Sequence, residues 1–228
     1  MAGTLPHLHP EGRPTVNANS STDYTVTIPV RSPADDVSAR STFQRWLWYA
    51  SRRDGLRLDG LEDDFSTLKR RADALHKIAP ILRASSTELE TLLPHVVVTR
   101  YGADEVMQRS GEVPSSMSFV VKGRVRLAVT GADGALIPVT TLHEGDFIGQ
   151  TALTREPVTG SAYAIGEVTM LQIDRKTLGH LVFRKPEWLQ DLSQAIDERR
   201  ERARAAATEV EDATAAADPT GEMPSDLT

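Results

Sequence analysis

From residue 95 onward, the chain is a series of short apolar segments of strand character, each bounded by glycine, proline or other turn residues. The segments read HVVVTRY, EVMQ, SFVVKG, RVRLAVT, ALIPVTTL and EVTMLQID. Short strands at such regular spacing are typical of an antiparallel sheet that curls into a roll or barrel. Asp133 and Gly134 stand between two alternating apolar runs, which predicts a tight hairpin there. We therefore expect an antiparallel β-roll as the main folded unit.

A helix is predicted between Ser32 and Gly55, directly after a strand that begins at Tyr24. Ser32 can cap the first turn, Pro33 suits the first helical position, and Gly55 ends the helix. Its apolar residues share one face, and they are Ala39, Phe43, Trp46, Leu47 and Ala50. This spacing predicts that the face packs in the core.

A second helix is predicted before the strands. Its apolar residues are spaced four, three, four and three apart, and they are Leu61, Phe65, Leu68, Ala72 and Leu75. Such a stripe pairs either with a neighbouring subunit or with the chain's own next domain, and the pattern leaves both open. Pro80 is predicted to end this helix, and Ser85 with Glu88 resembles a capping box for a short third helix.

Helical spacing returns after the strands, in the segment RKTLGHLVF and again from Pro186. The apolar face of the last helix consists of Trp188, Leu189, Leu192, Ala195 and Ile196. Residues 1–22 and 207–228 lack any apolar periodicity. We therefore expect both ends to be disordered tails.

The composition of the chain argues against several classes of function. The 228 residues carry a formal net charge of −6 and no cysteine. The chain therefore has no global positive field for a nucleic-acid backbone, and thiolate chemistry is excluded. No run reaches the roughly 18 to 20 apolar residues of a membrane helix, so we expect a cytoplasmic location.

No catalytic or metal site is predicted. The histidines of the structured part are scattered along the chain, at His76, His95, His143 and His180. A metal site needs several ligands that converge. Serine is plentiful, but no nucleophile-elbow motif accompanies it. We expect neither an enzyme nor a metalloprotein.

The order of glycines and strands resembles that of the cyclic-nucleotide-binding domain family over roughly residues 80–200. The motifs that carry the resemblance are Tyr101-Gly102-Ala103-Asp104-Glu105-Val106, Gly111-Glu112, SFVVKGRV from Ser118 and GDFIG from Gly145. The resemblance implies a jelly roll that binds a cyclic nucleotide, cAMP or cGMP, or a similar small anion, and needs no other cofactor.

The same resemblance implies that the segment GQTALTREPVTGSA, from Gly149 to Ala162, is the phosphate-binding cassette of that family. On this basis the ligand-binding residues are Gly149, Gln150, Thr151, Ala152, Arg155, Gly160 and Ser161.

Two positions depart from the family pattern. Gln150 stands where the family has a glutamate that accepts from a ribose hydroxyl, and Val158 stands where it has the arginine that pairs with the phosphate. Loss of that charged hydrogen bond weakens a cyclic nucleotide by about ten- to a hundredfold. Arg155 either replaces the missing arginine or is a solvated loop residue, and the sequence leaves both open.

Residues 24–58 are similar to the end of the cytosolic α/β domain of small-conductance mechanosensitive channels. The similarity rests on YTVTIPV from Tyr24 and FQRWLWYASRRDGL from Phe43. It implies a partial ferredoxin-like β-α-β unit that closes with a strand after Gly55. In some of these channels a cyclic-nucleotide-binding domain follows the α/β domain, which is the order of the two resemblances in this chain. The resemblance therefore implies a fragment of a channel at the cytoplasmic side of the inner membrane.

We therefore predict an α+β chain: an antiparallel β-roll, or double-stranded jelly roll, flanked by helices and preceded by a partial β-α-β unit. Its parts are a tail at 1–22, the channel-like unit at 23–60, a linker helix at 61–79, the roll domain at 80–206 and a tail at 207–228.

The predicted function is ligand-sensing regulation of a mechanosensitive or cyclic-nucleotide-gated type of channel. The predicted partners are that channel and further copies of this chain in a homo-oligomer. Ligand entry would move the helix after Pro186 over the pocket, and the linker helix would pass the movement upstream. One alternative is a degenerate module that serves assembly and binds no ligand. A more distant one is the sensor domain of a transcription regulator, although no recognition helix follows Ile196.

Overall fold

The computed structural model describes residues 5–58, 60, 65–131 and 136–185, and single positions beyond them at 188, 190, 193, 194, 196–198, 201, 205 and 208. Its strands are β1 (Thr15–Ala18), β2 (Tyr24–Thr27), β3 (Val96–Tyr101), β4 (Val106–Gln108), β5 (Ser116–Thr130), β6 (Leu136–Leu142), β7 (Phe147–Ile148) and β8 (Ser161–Asp174). Its helices are α1 (Asp36–Arg53), α2 (Leu68–Leu82), α3 (Ser86–Leu92) and α4 (Arg175–Arg184).

The strands from β3 onward form one antiparallel sheet that confirms the predicted roll. The order is β3-β8-β5-β6, with β4 paired to β8 and β7 paired to β5. The predicted hairpin turn at Asp133 and Gly134 lies outside the described residues. The strands on either side of it nevertheless pair as expected, with Thr130 opposite Leu136.

Strand β5 separates two apolar cores by the alternation of its side chains. Met117 and Phe119 face the helices and join the cluster that also holds Leu75, Ile78 and Leu178. Val120 and Val125 belong to the cluster inside the roll, which is completed by Leu142, Ile148, Ala162, Ala164, Val168 and Met170. The roll is thus filled on the inside and covered by helices on one outer face.

The predicted caps of the first and third helices are confirmed. The Ser32 hydroxyl accepts from the backbone N–H of Ala34 at 3.3 Å, and a 3₁₀ turn at Pro33–Asp35 leads into α1. Ser85 and Glu88 form the complete capping box of α3.

Helix α2 differs from the predicted linker helix at both ends. It begins at Leu68, capped by Thr67, and Leu61 lies outside the described residues. It runs through Pro80 to Leu82, because proline removes only one hydrogen bond near the helix end while Leu82 is fully buried in the core. Of the predicted stripe, Leu75 packs on the chain's own roll at 1% exposure, whereas Leu68 is 61% exposed. The buried face of α2 consists of Ala74, Leu75, Ile78 and Leu82.

The N-terminal segment also differs from the sequence prediction. Residues 15–18, expected within a disordered tail at 1–22, form β1 and pair with β2. All four are exposed, so the strand packs no face on a core, and four residues are too short a segment to predict it. Residues 56–58 after Gly55 are not a strand, so α1 follows a β-hairpin and no β-α-β unit is formed by the described residues.

Helix α1 is docked on the turn between β3 and β4. The fully buried indole of Trp46 donates to the carbonyl of Ala103 at 2.8 Å. The guanidinium of Arg53 forms a salt bridge with Glu105, whose side chain is 5% exposed, and donates to the carbonyl of Arg100 at 2.6 Å. A buried carboxylate without a cation is costly, so this pair holds the helix in place.

A second contact joins α1 to β8. The Tyr49 hydroxyl donates to the carboxylate of Glu167, which also accepts from Arg100 at 2.7 Å. Burial, followed by the hydrogen bond to Glu167, raises the pKa of Tyr49 to about 12. The phenol therefore stays protonated and remains a donor at neutral pH.

Replacement of Arg53 by Met tests the docking of α1. It leaves the buried Glu105 without its cation, and we expect a loss of about 3–5 kcal/mol in the free energy of unfolding. The control is Arg40→Ala, which removes an exposed salt bridge to Asp36 on the same helix and should cost less than about 0.5 kcal/mol. Urea unfolding followed by circular dichroism measures both, and equal losses would contradict the assigned role.

The lowered pKa of Glu88 predicts that the stability of the fold depends on pH. Hydrogen bonds from Lys185 and from the backbone of Ser85 lower the pKa of Glu88 from 4.5 to about 2. A lowered pKa in the folded state gives stability that is complete above pH 4.5 and is lost as the pH falls toward 2. In Glu88→Gln and in Lys185→Met, the free energy of unfolding should fall less steeply over this range than in wild type. A decline as steep as that of wild type would contradict the assignment.

Candidate ligand-binding site

The predicted cassette begins with a glycine that no other residue can replace without strain. Gly149 has φ +75°, and a Cβ atom on it would lie 2.5 Å from the carbonyl oxygen of Ser116. A 3₁₀ turn at Gln150–Ala152 follows, as the sequence predicts for a short helix at this point. Ala152 is fully buried, so it packs beneath the turn and presents no group to a ligand.

The far end of the cassette is tied to the loop after β4. The Ser161 hydroxyl accepts from the backbone N–H of Ser110 at 3.1 Å, and the Ser110 hydroxyl donates to the carbonyl of Thr159 at 3.0 Å. The side-chain amide of Gln108 donates to the carbonyl of Gly160 at 3.2 Å. Two predicted ligand-binding residues, Gly160 and Ser161, therefore have structural partners within the fold.

Val158 stands where the resemblance to the cyclic-nucleotide-binding family implies a phosphate-binding arginine. Its side chain is 4% exposed. Its backbone is fixed on both sides, since its N–H donates to the carbonyl of Glu112 at 2.9 Å and its carbonyl accepts from Gly111 at 2.8 Å. The position is part of the packed wall of the roll.

A small cavity of about 70 Å³ lies between the cassette and the strands. We call it the cassette cavity, and its described lining consists of Gln108, Leu127, Ala128, Val129, Val139, Ile148, Gln150, Thr151, Pro157, Val158, Thr159, Gly160 and Ile196. None of these lining residues carries a charge. The Thr151 hydroxyl oxygen is buried and has no hydrogen-bond partner.

Arg155 is not brought to this cavity. It is exposed and has φ +61°, and its backbone N–H donates to the carbonyl of Thr151 at 2.8 Å. Its side chain is absent from the described lining. Of the two options that the sequence left open, this geometry matches the solvated loop residue.

A second and larger cavity adjoins the first, and it was not predicted from the sequence. We call it the polar cavity; it measures about 250 Å³, and its described lining is Tyr101, Met107, Gln108, Glu112, Val113, Pro114, Ser115, Ser116, Ser118, Ile148, Gly149, Met170 and Gln172. Hydroxyls and amides predominate among its polar groups. The one available signal was Ser118, a polar residue within the otherwise apolar run at 117–121, which is buried.

Tyr101 connects the polar cavity with helix α1. The guanidinium carbon of Arg53 lies 4.2 Å from the centre of the Tyr101 ring, in a cation–π contact. Burial raises the pKa of Tyr101, so its phenol is neutral at physiological pH. The wall of the cavity and the docked end of α1 are thus in direct contact.

Other chemistry finds little support in the part of the chain that the structure describes. No group of three or more histidine, aspartate or glutamate residues there could hold a metal ion. No helix among the described residues is both long and apolar enough to cross a membrane.

Alanine substitutions at two glycines test the cassette geometry. Gly149 and Gly166 both have positive φ, but a Cβ on Gly166 would meet nothing within 4 Å. Gly166→Ala should cost about 1–2 kcal/mol from backbone strain alone. Gly149→Ala adds a collision with the Ser116 carbonyl, and we expect a further loss of at least about 1 kcal/mol in chemical unfolding. Equal losses would contradict the close approach of the cassette to β5.

A family model described as the cyclic nucleotide-binding domain matches residues 98–185. The chain is 28% identical over 113 residues to the cAMP-activated global transcriptional regulator CRP of Pasteurella multocida, covering 49% of this chain and 54% of that protein. The CRP of Salmonella typhimurium is 26% identical over the same lengths. The chain therefore spans about half the length of the curated relatives that it matches.

Solved structures agree on the fold. A cyclic nucleotide-binding domain from Methylobacillus flagellatus has a TM-score of 0.50 at 16% identity, covering 57% of this chain and 83% of that one. The regulatory subunit of a cAMP-independent protein kinase A from Trypanosoma cruzi, bound to guanosine, has a TM-score of 0.50 at 20% identity, with coverages of 57% and 48%.

The matched region begins well after the segment that resembles a channel domain. The family match starts at residue 98 and gives no support to a channel domain at residues 24–58. The antiparallel roll and the glycine-led cassette agree with the family match, and residues 98–185 are therefore similar to the cyclic nucleotide-binding domain family.

Proposed function

We propose that this chain is a non-enzymatic, ligand-sensing regulatory protein whose cassette cavity holds a small ligand of nucleoside or nucleotide type. The match of residues 98–185 to the cyclic nucleotide-binding domain family supports the ligand class. The 3₁₀ turn after Gly149 supports the position of the site. Gln150, Thr151 and Gly160 would be its contact residues.

The unpaired hydroxyl of Thr151 is the observation that carries the proposal. Thr151 is 8% exposed and its oxygen has no partner, although it lines a cavity. A buried hydroxyl without a hydrogen bond costs about 1–3 kcal/mol. A ligand with a polar group at this position would satisfy the hydroxyl and recover that free energy.

The lining chemistry favours an uncharged ligand. The described residues of the cassette cavity include no cation, and Val158 is buried where an arginine would pair with a phosphate. An anion without a partner in such a site is strongly disfavoured. A nucleoside should therefore bind at least as tightly as its cyclic phosphate. The guanosine-bound structure of the fold neighbour from Trypanosoma cruzi agrees with this preference.

A cyclic nucleotide, cAMP or cGMP, is the second candidate. The family supports it, and a solved neighbour is a triple mutant of the Trypanosoma brucei regulatory subunit bound to cAMP. Without a cation in the described lining, its binding should be weak. Binding in either case requires the site to open, because the cassette cavity of about 70 Å³ is far smaller than a ligand site of roughly 300 Å³ or more.

Ile196 is the residue that could report this opening. It lines the cassette cavity from the segment after α4. The predicted start of that helix at Pro186, and its residues Leu189, Leu192 and Ala195, lie outside the described residues. Displacement of this segment by a ligand is the regulatory movement that we propose.

What the sensor controls is a separate and finer proposal. The curated relatives are named as transcriptional regulators, which favours the regulator alternative over a channel. Arg199, Arg200, Arg202 and Arg204 lie outside the described residues. A channel partner, a homo-oligomer and a ligand-free assembly module are the other options.

Calorimetric titration with guanosine, adenosine, cAMP and cGMP tests the function. Thr151→Val should weaken the bound nucleoside by about five- to tenfold, because one hydrogen bond is lost. The same substitution should leave the unliganded protein equally or more stable, since it removes the unpaired hydroxyl. The control is Thr130→Val, at an exposed position of β5 that is absent from the described lining of both cavities, and it should leave affinity unchanged.

Three results would contradict the proposal. Absence of heat and of any thermal shift with all four compounds at millimolar concentration would leave only the assembly module. Unchanged nucleoside affinity in Thr151→Val would show that the ligand lies elsewhere. Tighter binding of cAMP than of adenosine would replace the nucleoside by the second candidate.

A further inference from the structure

We infer that the polar cavity is a second binding compartment, which accepts a neutral, hydroxyl-bearing group of a ligand whose apolar part occupies the cassette cavity. The inference rests on the proposed function for the identity of the apolar part. The compartment itself is argued from its own lining, which no residue of the predicted site except Gly149 reaches.

The two cavities are adjacent. Gln108 and Ile148 line both of them, and the consecutive residues Gly149 and Gln150 line one each. A ligand that extends from one cavity into the other therefore needs to pass only these four residues. No rearrangement of the long strands β5 and β8 is required.

The cavities differ in chemistry in a complementary way. The described wall of the cassette cavity is mainly aliphatic, from Leu127, Val129 and Val158. The polar cavity presents hydroxyls and amides, among them Ser118 and Gln172, at the end of the apolar roll interior. Such a pair of surfaces fits a molecule with one flat apolar part and one part rich in hydroxyls.

The polar cavity favours a neutral group. Glu112 is the one charged residue in its described lining. That carboxylate already lies 3.6 Å from the guanidinium of Arg109 and accepts from the Arg109 backbone at 3.4 Å. No lining residue described by the structure would pair with an added anion.

Size supports a ligand that uses both compartments. The cavities measure about 70 and 250 Å³. Each is below the roughly 300 Å³ at which small-molecule sites begin, and only together do they reach it.

Gln108 lies at the boundary of the two compartments. Its side chain is half-buried, and its amide is held by the carbonyl of Gly160. Because this is a single hydrogen bond of 3.2 Å on a flexible side chain, rotation of Gln108 is the smallest change that joins the compartments. We assign Gln108 as a residue that determines ligand length.

D-ribose is the direct probe of the polar cavity. Titration followed by nuclear magnetic resonance should shift the ring signals of Tyr101 in wild type and in Thr151→Val, which alters only the cassette cavity. Ser118→Val removes a lining hydroxyl and adds bulk, and it should weaken ribose by about tenfold. Thr130→Val, at an exposed position of the same strand, is the control and should leave ribose binding unchanged.

Adenosine and adenine extend the test to the whole ligand. Wild type should bind adenosine about tenfold more tightly than adenine, and Ser118→Val should abolish most of this difference. Gln108→Ala should improve adenosine binding relative to adenine, because it opens the boundary.

The outcomes separate the two proposals. If ribose binds while neither adenosine nor adenine does, the proposed function is wrong and the polar compartment stands. If adenosine binds but ribose does not, and Ser118→Val leaves adenosine affinity unchanged, the polar cavity holds only water and the inference is wrong. Failure of all three probes overturns both.

Discussion

The antiparallel pairing of β5 with β8 is the contact on which the ligand site depends. It runs from Ser116 opposite Asp174 to Ala128 opposite Ser161. The two glycines of the cassette approach β5 near its two ends, Gly149 against the carbonyl of Ser116 and Gly160 against that of Ala128. The cassette is therefore stretched along most of β5, and any change of register between the long strands would displace both of its ends.

The docking of α1 adds a connection that the roll alone does not have. The buried pair of Arg53 and Glu105 fixes the helix to the turn after β3, and Arg53 also stacks on Tyr101. The same ring lines the polar cavity. A group that enters this cavity therefore meets a residue already coupled to the N-terminal helix. Coupling to α1 needs a difference in ligand affinity between two helix positions, and the Tyr101 ring is the element through which such a difference could arise.

Local rules explain how much could be predicted from the sequence. The caps at Ser32 and Ser85 and the strands of the roll follow from signals within a few residues. The cassette glycines were predicted only through the resemblance to a known family. Strand β1 could not be predicted, because its exposed residues are ordered only by pairing with β2. The passage of α2 through Pro80 depends on the burial of Leu82, and the polar cavity depends on residues brought together from β3, β4, β5 and β8. These are tertiary effects, which local signals do not determine.

Val158 stands where the family resemblance implies a phosphate-binding arginine, and in the proposed site it would change the source of binding energy while preserving the cassette. The backbone hydrogen bonds of Val158 to Gly111 and Glu112 hold the loop in place without any ion. Its buried side chain adds apolar surface to the cavity wall. Affinity would then come from buried apolar area and from hydrogen bonds such as that of Thr151, both of which depend little on ionic strength, whereas a site built on an arginine–phosphate pair weakens as salt screens the charges. The position that most weakens the case for a cyclic phosphate is thus also the one that makes a neutral ligand physically reasonable.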